Sequence, residues 1–292
     1  MNGSTSRSVA LEASLEAMDF PMQTFVNRDG LSLAWQLDSF AAPWTQPDTV
    51  LLLHAAMGSS LRWFRWMPRL AARYRVLRLD LRGHGLSQIP PADQPFSLPH
   101  LVGDVLELLD RHAPGPVHVV GNSAGGYVAQ RLAIEHPEWV KTLALYGSTP
   151  GLKQSHAPTW IPKIAERGLR TFLAETIDER FDEHADPALV QWFINQAGSN
   201  DPVFIARFVT HMCTHDFLDD LVAVRAPTLI VAAGREKIGH ASSYVDMQKR
   251  IAGSELRTID TAAHNICDGY AEQCLDLLLD FLDRKQAVSG VR

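Results

Sequence analysis

The chain is poor in cysteine: Cys213, Cys267 and Cys274 are the only three in 292 residues, an odd number without metal-ligand spacing. That argues against a disulfide framework and for a reducing compartment. There is no basic cluster, and a formal net charge of −6 argues against nucleic acid or an anionic membrane surface as partner. No run approaches the ~18 apolar residues that a bilayer-spanning helix needs. The first residues are polar and carry Glu12 and Glu16 where a secretion signal would need an apolar stretch. Repeats and low-complexity tracts are missing too. The expectation is a cytoplasmic protein with a small-molecule partner; a monomer and a homo-oligomer both stay open.

Apolar residues, by contrast, make up 46% of the chain, enough for a sizeable core. Two short runs, at 22–26 and 31–37, flank Asn27-Arg28-Asp29-Gly30, which predicts a β-hairpin. Thr49-Val50-Leu51-Leu52-Leu53 is apolar without alternation, as a strand buried on both faces must be. Similar strands are predicted at 74–79, 117–120, 140–146, 227–232 and 256–259. Helical patterns separate them: one with Trp63, Trp66, Met67 and Leu70, one with Leu101, Val105, Leu108 and Leu109, and one ending near His136. Two more follow at 243–251 and 269–283. This alternation predicts an α/β fold with a mostly parallel, doubly wound sheet.

The rhythm fails between 149 and 216. Only helical patches occur there, at 161–173, 188–196 and 202–212, rich in Trp160, Phe172, Phe181, Trp192, Phe193, Phe204 and Phe208. The segment reads as a helical cap inserted after the sixth strand, with most of these aromatics forming its own small core. The expected organisation is an N-terminal extension at 1–20, a core at 21–148 and 217–292, and a cap at 149–216.

The chemistry centres on Gly121-Asn122-Ser123-Ala124-Gly125, set between an apolar strand and a helix that opens on small residues. A serine in such a G-x-S-x-G turn is held with its hydroxyl lifted clear of the sheet. The plain alternative is a glycine-rich turn with an incidental serine. A serine hydroxyl needs a base within hydrogen-bond reach. Twelve histidines make counting useless, but His264 follows the last strand, in Thr261-Ala262-Ala263-His264-Asn265. His84 reads instead as shaping a glycine loop, and His54 as supporting the turn after its strand. For an oxyanion, backbone N–H donors are wanted. Ala124 supplies one at the helix start, and Ala56 is the candidate for the other.

Taken together, the turn at 54–59, Asp80-Leu81-Arg82-Gly83-His84-Gly85-Leu86-Ser87, the elbow at 121–126, Ala226-Pro227-Thr228-Leu229-Ile230-Val231 and the late His264 resemble the α/β-hydrolase-fold serine hydrolases, over nearly all of 22–284. Within that family the chain is similar to 3-oxoadipate enol-lactonases and to meta-cleavage C–C hydrolases. The resemblance implies Ser123 as nucleophile, His264 as base, and neither metal nor cofactor. It also exposes two departures. The oxyanion turn begins His54-Ala55 where the family has H-G. The acid, an aspartate in a G-x-x-D pattern, is replaced in Gly234-Arg235-Glu236-Lys237 by a lysine. A lysine facing His264 would disfavour the imidazolium. Three readings stay open: Glu236 stands in with Lys237 turned to solvent; another carboxylate serves, Asp268 being a weaker candidate; or the acid is absent.

The leading expectation is hydrolysis of a carboxylic ester or lactone of a small, partly apolar molecule through an acyl-enzyme. The alternatives are C–C cleavage of a vinylogous diketo acid, and a degenerate fold acting as binding protein, lyase or isomerase.

Overall fold

The computed structural model describes residues 22–153 and 155–289, so the extension expected at 1–20 lies outside the described residues. Strands β1 (Gln23–Val26) and β2 (Ser32–Asp38) form the hairpin, its turn closed by Asn27 Oδ1 accepting from the N–H groups of Asp29 and Leu31, with Gly30 at φ 79°. They are followed by β3 (Thr49–Leu53), β4 (Arg75–Leu79), β5 (Val117–Asn122), β6 (Val140–Tyr146), β7 (Thr228–Ala233) and β8 (Glu255–Ile259). All eight join one sheet in the order β1-β2-β4-β3-β5-β6-β7-β8. The contacts of β2 are antiparallel, and every pairing from β4 through β8 is parallel.

The period of two within each strand divides the core between the faces of the sheet. Leu51, Leu53, Val119, Leu143, Leu145 and Ile230 pack on one face. Val50, Leu52, Val120, Ala144, Tyr146 and Val231 pack on the other. Because both faces are covered, a strand such as β3 is buried throughout, which is why its sequence does not alternate.

The helices are α1 (Met67–Leu70), α2 (Leu98–His112), α3 (Ala124–Glu135), α4 (Trp160–Arg167), α5 (Leu169–Glu175), α6 (Pro187–Ala197), α7 (Pro202–Met212), α8 (Ala241–Arg250), α9 (Ile266–Gly269) and α10 (Ala271–Ser289). Two differ from expectation. The helix expected around Trp63 and Trp66 is a 3-10 turn at Ser60–Trp63 and the four-residue α1, which starts next to Pro68. The patch at 161–173 is two helices, broken at Gly168, whose φ of 76° a helix does not accommodate.

Helices α4–α7 lie between β6 and β7 and build a third cluster, in which Trp160, Phe172, Phe181 and Phe193 pack with Met57 and Ile238 of the sheet domain. Phe204 and Phe208 join the main core instead, edge-on to His84.

Candidate active site

The register of the sheet assembles the site. Leu53 of β3 stands beside Gly121 of β5, so the turns that follow these strands are neighbours above the carboxyl ends. Ala233 of β7 is paired with Ile259 of β8, which brings the next two loops together in the same way. Parallel α/β sheets place their working groups at this end.

Ser123 sits at φ 49°, ψ −115°, between β5 and α3. The packing requires the flanking glycines. A Cβ on Gly121 would lie 2.5 Å from Gly126 Cα, and one on Gly125 would lie 2.3 Å from the Leu53 carbonyl oxygen. Among the described residues only Met57, at φ 62°, is also a non-glycine with positive φ. Such backbone is strained for an L-residue and persists where surroundings dictate it.

The Ser123 hydroxyl donates to His264 Nε2 at 3.0 Å, and His264 Nδ1–H donates to Glu236 Oε1 at 2.9 Å. The Glu236 side chain has 0% exposure. It also accepts from Ile238 N–H at 3.1 Å and, through Oε2, from the Tyr244 hydroxyl at 3.1 Å. Burial works to raise the pKa of this carboxyl, but the His264 imidazole and these donors bring it down to about 2. Lys237, the next residue, turns the other way. Its Nζ donates to the Asp178 carbonyl oxygen at 2.9 Å and to Asp178 Oδ2 at 3.2 Å, at the surface.

The remaining sequence candidates fall into place by their partners. Asp268 is buried and clamped by Arg62 through Nε at 3.1 Å and a second contact from Nη2 to Oδ2, so it is a partner of Arg62 and not of His264. The turn after β6 offers Gly147, whose Cβ would stand 3.6 Å from His264 Cε1, and Ser148, which donates to the Ser123 carbonyl oxygen at 2.8 Å. His54 accepts Leu81 N–H on Nε2 at 2.9 Å and donates from Nδ1 to the Ala55 carbonyl oxygen at 2.8 Å, so it braces the turn as a neutral imidazole. Burial first, then the Arg62 charge, lowers its pKa to about 4. His84 is buried in its glycine loop, its pKa pushed down to about 3 by burial and by His54.

A narrow cavity opens over Ser123 and His264. Ala56 and Ala124 both line it, and the Ala56 N–H makes no backbone hydrogen bond among the described residues. Its walls are apolar apart from Arg62, Arg180 and Asn265. The sequence reading missed these three. Arg180 comes from the segment without strand rhythm, where nothing distinguishes it from other charged residues. Asn265 follows His264 directly, and its Nδ2 is buried with no partner among the described residues. Adjacency to the base was the one available signal. Tyr244, the hydroxyl donor to Glu236, sits on the buried face of α8, and nothing in the helical pattern there marks it as part of a site.

Sheet order and site define an enzyme of the hydrolase class. The chain belongs to the alpha/beta hydrolase fold family, whose model matches residues 48–269. It is 28% identical over 250 residues to the pimeloyl-[acyl-carrier protein] methyl ester esterase of Aeromonas hydrophila subsp. hydrophila, covering 81% of this chain and 95% of that one. The crystal structure of a hydrolase from Pseudomonas aeruginosa PA01 superposes with a TM-score of 0.80 at 28% identity, over 90% of this chain and 98% of that one. The enol-lactonase from Burkholderia xenovorans LB400 shares the fold, with a TM-score of 0.81 at 20% identity over 89% and 100% of the two chains.

Proposed function

We propose that this protein is a serine hydrolase that cleaves a carboxylic ester or lactone of a small, partly apolar molecule through an acyl-enzyme. The carrying observation is the unbroken hydrogen-bonded chain Ser123–His264–Glu236 beneath an apolar cavity. In this reading Ser123 Oγ attacks the carbonyl carbon while His264 Nε2 takes the hydroxyl proton. Glu236 holds the imidazole with Nδ1 protonated and stabilises the imidazolium. The N–H groups of Ala56 and Ala124 receive the oxyanion, each donor worth on the order of 3 kcal/mol. The leaving alcohol takes the proton from Nε2, and water repeats the sequence to release the acid. Every group used is part of the chain, so the cycle calls for no metal or cofactor.

Helices α4–α7 act in this reading as a cap over the cavity, within 149–216. Three free cysteines are consistent with a cytoplasmic location, and no helix among the described residues is long and apolar enough to cross a membrane. The test is a fluorophosphonate probe followed by peptide mass spectrometry. An adduct on Ser123, together with turnover of a p-nitrophenyl ester that is lost in Ser123→Ala and His264→Ala, is the expected result. Absence of both adduct and turnover overturns the reading, and Ser123-dependent turnover removes the binding-protein alternative.

A second reading, C–C cleavage of a vinylogous diketo acid, is favoured by the polar wall. Arg180 is buried, its pKa lowered by burial only to about 10, and it keeps its charge. Its Nη1 donates to Thr176, and the guanidinium lines the cavity together with Asn265, whose buried Nδ2 has no partner among the described residues and is a donor suited to a carboxylate. Turnover of such an acid separates the two readings; activity confined to simple esters and lactones rejects the second.

A further inference from the structure

An oxyanion donor works by standing in place before charge develops, so the turn that carries Ala56 has to be held. That turn is closed by Gly58 N–H donating to the Ala55 carbonyl oxygen at 3.0 Å. The two strained non-glycine residues each adjoin a proposed oxyanion donor: Ser123 precedes Ala124, and Met57 follows Ala56. Ser123 is fixed by the strand and helix on either side of it. Met57 has no such support.

What grips Met57 comes from the helical segment. Asn200, in the link between α6 and α7, donates from Nδ2 to the Met57 carbonyl oxygen at 3.0 Å and to the Ala197 carbonyl oxygen at 2.9 Å. Its Oδ1 accepts from Gly85 N–H at 3.1 Å. One amide thus ties the oxyanion turn, the loop after β4 and the end of α6 together, and it is buried. One turn earlier on α6, Gln196 Nε2 donates to Ser59 Oγ at 3.0 Å. From the sheet domain, His54 and Asp80 hold only the flanks, at Ala55 and Ser60.

We infer that Asn200 is a positioning residue that sets the oxyanion donor, so that docking of the helical segment onto the sheet completes the reactive geometry. Without its bond, Met57 relaxes to negative φ, and the Ala55–Gly58 turn that its conformation closes opens, shifting Ala56 with it. The Ala56 N–H then swings off its line. The inference rests on the ester-hydrolase reading, and its test separates the two.

The experiment compares wild type, Asn200→Ala and Asn200→Asp on a p-nitrophenyl ester, with rates expressed per fluorophosphonate-titrated site. Asn200→Asp keeps the acceptor for Gly85 and removes the donor to Met57, and it serves if Asn200→Ala does not fold. Affinities for a trifluoromethyl ketone, which fills the oxyanion position, and for the product acid are measured alongside. The expected result is a fall in kcat of about 10- to 100-fold, matched by the trifluoromethyl ketone affinity, with KM and product affinity within about twofold. Met57→Gly in the Asn200→Ala background is expected to restore most of the loss, because glycine adopts positive φ without strain. Unchanged kcat and ketone affinity overturn the inference, as does an equal loss for the product acid, which marks general damage. A wild type with neither turnover nor adduct overturns the hydrolase reading and the inference with it.

Discussion

His264 Nδ1 and Glu236 Oε1 stand 2.9 Å apart, although the residue at the family's acid position is a lysine. In the proposed triad the acid stands one residue earlier along the chain and carries one methylene more in its side chain. If this contact orients the base, Glu236→Gln lowers kcat by about 10³- to 10⁴-fold, because an amide cannot stabilise the imidazolium and favours the wrong tautomer. Steady-state kinetics with KM resolved separately checks this. A loss below tenfold rejects Glu236 as the acid.

Lys237 faces Asp178 and solvent, not the imidazole. Exposed ion pairs contribute only ~0–1 kcal/mol, so Lys237→Ala leaves kcat within about twofold and the melting temperature nearly unchanged. Lys237→Asp, placed in the Glu236→Gln background, restores no activity, since the side chain at 237 points away from His264. Recovery in that double variant contradicts the geometry.

Asp268 is predicted to fail differently. Its carboxylate and Arg62 form a buried pair, with side-chain exposures of 1% and 5%. Asp268→Asn leaves the guanidinium buried without a counter-charge, at a loss of about 3–5 kcal/mol in unfolding free energy. Urea denaturation measures it. A stable Asp268→Asn with greatly reduced kcat would return this residue to the catalytic chain.

The buried imidazoles predict the acid limb of stability. His54 and His84 titrate at about 4 and about 3 in the folded chain, and near 6.5 when exposed. Their folded values are depressed, so as pH falls the unfolded chain binds protons first. Their contribution is whole above pH 6.5 and is lost progressively from there down to the folded values near 4 and 3, on the order of 3 kcal/mol for His54 and about 5 kcal/mol for His84. Glu236, at about 2 against an ordinary 4.5, adds its own loss only below about pH 4.5. Urea midpoints at pH 7, 5.5 and 4.5 are expected to decline, and less steeply in His84→Gln.

The sheet and elbow were legible because their signals are local. Strand burial on two faces writes an unbroken apolar run, as at 49–53, and neighbouring backbone that an added Cβ would meet within 2.5 Å admits only glycine at 121 and 125. His264 could be placed beside Ser123 because a loop at a strand's carboxyl end has one direction to go. The acid was narrowed to Glu236 and left among alternatives, because which of two neighbouring side chains turns inward is decided by Tyr244 and Asp178, 8 and 59 positions away. Asn200 and Arg180 left no trace for the same reason. Their partners are distant in sequence, and their own segment carries no period that points to the cavity.

The backbone of Ser123 has a consequence for how the protein can change. Its φ of 49° suits glycine better than serine, so the proposed nucleophile sits where another residue would be more comfortable. Ser123→Gly is therefore expected to melt above wild type, by about 1 kcal/mol in stability, and above Ser123→Ala. A drift towards greater robustness at this one position is also a drift out of catalysis. In the hydrolase reading, the need for turnover is what keeps a side chain there.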